Sequence, residues 1–173
     1  MGEEEALLEN ARTIYDHIVS HPGSHLRRIS REVNIHLSTA RYHLDHLERV
    51  GLITSRQETN TKVYFAAGAL DAEDKIITPL LQQKRFRDII LLIILDPGST
   101  HSEISARLSI KPPTLSKYVS MLEQRKIVYH EQSGREKRYY VSEERRLLGL
   151  MMRFKKSFWD PFVDNILEIV YER

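Results

Sequence analysis

Between Ser38 and Arg49 one short stretch carries Ser38, Thr39, Arg41, Tyr42, His46 and Arg49. On a helix turning about 100° per residue, Ala40, Leu44 and Leu47 share one stripe. Tyr42, Asp45, His46 and Arg49 fall opposite, with Thr39 and Arg41 flanking. Residues of these types suit the edges of stacked bases. Arginine pairs with guanine O6 and N7, and a threonine methyl meets a thymine methyl. Ser38 and Thr39, at the helix start, reach phosphates or base edges. A solvated helix face carries similar residues, so the set reads bases only if neighbouring elements present it. His43 sits on the border of the apolar stripe and is expected to be half buried. Asp45 would be repelled by phosphate. It can accept from cytosine N4, but the favoured expectation is that it orients Arg41 or Arg49.

The elements that must present this face occur twice. HPGSHLRRISREVNIHLSTARYHLDHLERVGLI (21–53) aligns without a gap on DPGSTHSEISARLSIKPPTLSKYVSMLEQRKIV (96–128), at an offset of 75 residues. Pro22, Gly23, Ser24, Ile29, Ser30, Ile35, Thr39, Leu47 and Glu48 recur as Pro97, Gly98, Ser99, Ile104, Ser105, Ile110, Thr114, Leu122 and Glu123. The register holds outward to Lys62 and Tyr64 against Lys137 and Tyr139, and back to Ile14 and Ile18 against Ile89 and Ile93. Two copies predict paired small domains, since a solenoid needs three or more units. In each copy an apolar helix (roughly 6–20 and 83–95) is broken by Pro-Gly-Ser. A second helix follows, then a short turn plugged by Ile35 or Ile110. Thr100 and Glu103 have capping-box spacing. The third helix starts near Ser38 in the first copy and near Pro112 and Pro113 in the second, where a missing N–H costs least. Two strands around a turn, 53–66 and 128–141, complete each copy, with Gly134 in the second turn.

Three helices and a hairpin define a winged helix-turn-helix. The run from Pro22 to Ile53, ending STARYHLDHLERVGLI, resembles the broad ArsR/MarR-like group of prokaryotic winged-helix regulators, and most of all archaeal chains with two such domains in tandem. The resemblance covers about 11–141. The second copy departs from it: Lys126 stands where the first has Gly51, and a double proline opens its third helix. The expected fold is mainly α with small β-hairpins (α+β). It comprises two tandem winged helix-turn-helix domains, 1–75 and 76–142, with C-terminal helices over 143–173. The resemblance implies a sequence-specific regulator of transcription that binds double-stranded DNA, and it implies a prokaryotic cytoplasm.

The second copy offers Thr114, Ser116, Lys117 and Ser120 on its outward face, with Lys111 just ahead and Tyr118 in the place of His43. Wings lie on the DNA backbone, where cations add salt-sensitive affinity. The first wing carries Arg56 and Lys62 beside Glu58; the second carries Arg135, Lys137 and Arg138 beside Glu131 and Glu136. Arg27 and Arg28 on the second helix are expected to clamp flanking phosphate. The second copy has Ser102 and Glu103 there. The first copy is therefore expected to read DNA, with the second supporting it, reading another site or partly diverted.

Basic residues exceed acidic by 8 to 5 over 11–68 and by 13 to 8 over 82–146, although the whole chain is only +2. No cysteine is present, which excludes disulfides, zinc ribbons and thiol nucleophiles. The longest apolar run, IILLIIL at 89–95, is short against the ~20 residues of a membrane span. It reads as a buried helix, and with an acidic N-terminus lacking an apolar signal core the chain is expected to be soluble. Six of eight histidines precede residue 50. A metal site needs three or four convergent ligands, so caps, packing and DNA contacts are the expected roles, and no metal or cofactor is expected. No phosphate loop, nucleophile triad or differentiated carboxylate pair is legible, and an enzyme is not expected. Leu147, Leu150, Met151, Phe154 and Phe158 make a helical stripe in the tail, and Phe162, Ile166, Ile169 and Val170 follow Pro161. Such a stripe needs a partner. Self-association as a homodimer is the expectation, and packing on IILLIIL the alternative. A tandem winged-helix adaptor that binds protein rather than DNA is the alternative function. Neither the operator nor an effector is legible.

Overall fold

The computed structural model describes residues 3–154. The chain divides into two compact units, Met1–Pro79 and Leu80–Arg173. In the first, helix α1 (Glu3–Ser20) leads to a short strand β1 (Ser24–His25), helix α2 (Leu26–Glu32) and helix α3 (Leu37–Arg49). The hairpin of β2 (Ile53–Glu58) and β3 (Thr61–Ala66) follows, then helix α4 (Ala72–Leu81), which runs across the unit boundary. In the second unit the same order returns as α5 (Lys84–Leu95), β4 (Ser99–Thr100), α6 (His101–Leu108), α7 (Pro112–Gln124), β5 (Val128–Ser133) and β6 (Glu136–Val141). Helix α8 (Glu144–Arg153) comes last among the described residues.

Each sheet has three antiparallel strands, with β3 between β1 and β2 and β6 between β4 and β5. Ser24 faces Tyr64 and Ser99 faces Tyr139 in register, so the 75-residue offset extends to the ladders. The two-residue strands were not legible, being too short to show alternation. Helix α4 was also missed. It contains Pro79, which reads locally as a break.

The first core is built from Ile14, Ile18, Ile29, Ala40, Leu44, Leu47, Ile53 and Tyr64, with Ile35 packed against it as the expected plug. Helix α3 rests on α1, α2 and β2. These supports cover a wider arc than one stripe, and His43 is buried at 2% exposure rather than half buried. Burial holds its imidazole below the usual range, with His46 adding to the effect. In the second unit α5 packs on α6, α7 and β6, burying Phe86 and Ile89 through Ile94. The run Ile89–Ile94, apolar on every side, belongs in a core. Of the buried charges on α5, Arg87 donates through Nη1 to the Leu81 carbonyl at 2.8 Å, and Asp88 accepts from Lys84 at 3.3 Å.

Local chemistry explains the helix starts. The Thr100–Glu103 capping box forms as spaced: the Glu103 carboxylate accepts from the Thr100 N–H at 2.7 Å, and Thr100 Oγ1 accepts from the Glu103 N–H at 3.3 Å. Histidines cap α2 and α3. His25 Nδ1 accepts from the Arg28 N–H at 3.2 Å, and His36 Nδ1 accepts from the Ser38 N–H at 3.4 Å. Gly51 turns out of α3 at φ +77°, and Lys126 takes the same left-handed place after α7 at φ +58°. The α8 stripe, Leu147, Leu150, Met151 and Phe154, is buried within the single chain. The expectations for Phe158 through Val170 lie outside the described residues.

Candidate nucleic-acid interface

In the first unit an open cleft of about 620 Å³ lies between the start of α2, the outer face of α3 and the hairpin. Its walls include His25, Arg27, Arg41, Lys62 and Tyr64. In the second unit a cleft of about 340 Å³ is lined by Thr100, Ser102, Ser116, Lys137 and Tyr139, with His101, Arg135 and Glu136. Moving the second lining back by 75 residues lands every member on a residue of the first. The two units therefore share an open concavity bordered by cationic side chains as well as a core.

The outward face of α3 is presented as its periodicity requires. Arg41, Tyr42, Asp45, His46 and Arg49 are exposed, while Thr39 is half buried. Arg41 and Arg49 make no ion pair among the described residues. Asp45 does not orient either arginine, contrary to expectation. Its field instead favours the charged form of Lys62 and adds to the burial that raises the Tyr64 hydroxyl, because the hairpin folds over that flank of α3. On α7, Thr114, Ser116, Lys117 and Ser120 are exposed, as is Lys111 ahead of them. Ser116 is partly committed: its hydroxyl meets His101 Nε2 at 3.0 Å and donates to the Pro112 carbonyl at 3.0 Å. His101 is a cleft residue that the sequence reading missed. Its counterpart is the apolar Leu26, so the repeat comparison drew no attention to it.

The cations differ in what holds them. Arg27 is exposed on the cleft wall. Arg28 turns along its own helix to Glu32 at 2.8 Å, where its side chain is 18% exposed. Burial opposes ionisation of Glu32, but the Arg28 hydrogen bond and charge outweigh it and hold this carboxyl low. Lys62 Nζ donates to Glu48 at 2.7 Å, and Ser55 Oγ donates to the same carboxylate. Those bonds, Lys62 first, lower the Glu48 carboxyl, and the Glu48 bond raises the Lys62 ammonium. Arg56 pairs with Glu58 at 3.3 Å. Both expected cations of the first wing are thus engaged with carboxylates of their own unit. In the second wing Arg138 reaches back to the Gly98 carbonyl at 3.1 Å, while Arg135 and Lys137 are exposed and unpaired among the described residues.

The remaining histidines do not assemble a metal site. His17 and His21 stack face to face with centroids 4.5 Å apart, an arrangement that does not converge two nitrogens on a point. Among the described residues no group of three or more histidine, aspartate or glutamate side chains is disposed to hold a metal. No described helix is long and apolar enough to cross a membrane.

Comparison with known proteins agrees with this geometry. Residues 87–129 match the family of winged helix-turn-helix DNA-binding domains; the match runs from α5 through α6 and α7 into β5. That segment of the chain is of winged-helix type. Over 145 residues, 83% of its length, the chain is 32% identical to an uncharacterized HTH-type transcriptional regulator of Methanocaldococcus jannaschii. The alignment takes in 36% of that relative, so the chain spans about a third of its length. Among solved structures, Streptococcus pneumoniae FabT in complex with DNA is 21% identical over 67% of this chain and 75% of its own, with a TM-score of 0.31. A conserved hypothetical protein from Chlorobium tepidum is 15% identical over 86% of this chain and 99% of its own, with a TM-score of 0.33. The endosomal complex ESCRT-II is matched at 14% identity over 80% of this chain and 62% of its own, with a TM-score of 0.32.

Proposed function

We propose that the protein is a sequence-specific transcriptional regulator of the broad ArsR/MarR-like, tandem winged-helix kind. It binds double-stranded DNA, setting α3 and α7 into the major groove. The observation that carries this reading is the repeated cleft. Two copies of one open concavity each border an exposed third helix, and Arg41, His46 and Arg49 stand exposed on the first beside Tyr42, whose ring lies edge-on to His43. Their donors suit guanine O6 and N7 and the edges beside them, while Arg27, Ser38 and Thr39 suit the adjoining phosphates. Lys111, Thr114, Lys117 and Ser120 take the corresponding places on the second unit. The M. jannaschii relative, an HTH-type transcriptional regulator by name, supports the same reading. A homodimer through the C-terminal helices belongs to this proposal, since two-fold dimers match half-sites about 34–36 Å apart.

The test is selection of a bound site from random duplexes, followed by titration of variants. Arg41→Ala is expected to weaken the selected site by about 1–3 kcal/mol and to relax base preference at one position. Equal weakening on selected and random duplex would remove Arg41 from base reading. The adaptor reading draws on one observation: Leu37, Tyr42, Val50 and Leu52, exposed on and just after α3, include three aliphatic side chains. It predicts no steep loss of duplex affinity as salt rises, whereas DNA binding through phosphate contacts requires one.

A further inference from the structure

The repeat keeps a glutamate at the end of each third helix, Glu48 and Glu123, but the two grip different partners. Glu48 takes Lys62 at 2.7 Å together with the Ser55 hydroxyl. Glu123 takes His130 Nδ1, and His130 occupies the position equivalent to Ser55. The ladders are otherwise the same: Gln57 faces Lys62 and Gln132 faces Lys137, with Tyr64 and Tyr139 two residues further on. The hydroxyl of Ser55 is short and leaves room at its carboxylate for a second donor from β3. In the second unit His130 Nδ1 takes the glutamate Oε1, the oxygen that Ser55 takes in the first, with its ring edge-on to Tyr139 at 5.9 Å, and among the described residues Lys137 makes no bond to Glu123 and stays exposed.

We infer that the repeated glutamate decides which wing is available to duplex phosphate: Glu48 withholds Lys62 in the first unit, and His130 occupies Glu123 so that Lys137 is released in the second. Lys62 is then a positioning residue that fastens hairpin to helix, and the salt-sensitive wing contact belongs to Lys137 and Arg135. To reach phosphate, Lys62 would have to leave a carboxylate that would then itself face the DNA. That exchange replaces one anionic partner by another and releases little counterion. Lys137 breaks no such bond, so its contact registers in full. This inference rests on the DNA-binding reading and adds a division of labour to it. The first unit offers uncommitted cations from its helices, Arg27, Arg41 and Arg49, and the second offers them from its wing as well as from α7.

The test measures, for the full chain on a labelled random duplex, how the logarithm of affinity falls with the logarithm of salt concentration. Each phosphate contact contributes about 0.9 to that slope. Lys137→Ala is expected to reduce the slope by about 0.9, and Lys62→Ala by less than half as much. Glu48→Gln is expected to raise it by about 0.9, through the liberated lysine. The double variant Glu48→Gln/Lys62→Ala should lose that gain, which separates capture of Lys62 from simple removal of a carboxylate. Thermal melting by circular dichroism checks each fold, and Lys62→Met, which keeps the stem, replaces Lys62→Ala if the latter unfolds. Equal slope losses for Lys62 and Lys137 variants, or a double variant that keeps the raised slope, would overturn the latch while leaving DNA binding intact. A wild-type slope near zero would instead refute the DNA-binding reading and this inference with it.

Discussion

His17 shows how much a single side chain can owe to its surroundings. It is buried at 9% exposure, with Nε2 3.6 Å from Glu32 and its ring stacked on His21. Burial first, and then the His21 charge, bring its pKa down to about 4, Glu32 opposing them and Arg28 adding to them. A histidine lowered in the fold takes its proton first in the unfolded chain. Stability is therefore full above the ordinary value near ~6.5 and is lost as pH falls from there toward the folded value. After allowance for residual solvent screening, the loss expected from this residue is about 2 kcal/mol. Urea unfolding at pH 7 and pH 4 measures it, and His17→Gln should flatten part of the difference. Lys126 makes a second residue-scale case. It holds a left-handed backbone where the first copy has glycine, a conformation that costs a side-chain-bearing residue about 1–2 kcal/mol. Part of any relief is offset by glycine's greater freedom in the unfolded chain. Lys126→Gly is expected to raise unfolding free energy by about 0.5–1 kcal/mol; a lower urea midpoint would contradict this.

At the scale of elements, the second and third helices of each unit are set by their ends. Helix α6 has the full Thr100–Glu103 box, and hydrogen bonds from the Thr100 backbone and then its hydroxyl hold the Glu103 carboxyl below its usual range. Helix α2 makes do with one histidine nitrogen. Thr100→Ala removes both hydroxyl bonds to Glu103, the one accepted from its N–H and the one donated to its carboxylate, and is expected to destabilise the chain by about 1 kcal/mol. Thr100→Ser, which restores the oxygen, should recover most of it in the same thermal melts. The cap was legible because it is a three-residue spacing. The pairing of β1 with β3 was not, because it depends on where the hairpin returns.

For the whole molecule, the burial of Leu147, Leu150, Met151 and Phe154 within one chain changes how self-association should be tested. Truncation after Arg145 would strip buried side chains and damage the fold, so the informative cut follows Phe154. Under the proposed homodimer, the full chain is expected to sediment as a dimer and the chain ending at Phe154 as a monomer. An unchanged dimer would take that role away from 155–173. The whole-chain charge of +2 says little about the proposed interface. For the proposed interface what matters is which cations remain uncommitted, and such cations lie on α2, α3, α7 and the second hairpin.

From the sequence alone came the duplication, the order of helices and hairpins, the apolar stripe of Ala40, Leu44 and Leu47, and the outward display of Arg41, Tyr42, His46 and Arg49. These follow from local periodicity and from a 75-residue self-alignment, and both are properties of the chain before it folds. Only the tertiary structure decided that His43 is buried, that Asp45 acts on Lys62 rather than on an arginine, and that Glu48 and Glu123 hold different partners. Lys62 lies 14 residues from Glu48. No helical or strand period joins them, so their bond exists only because a hairpin folds back across the end of a helix.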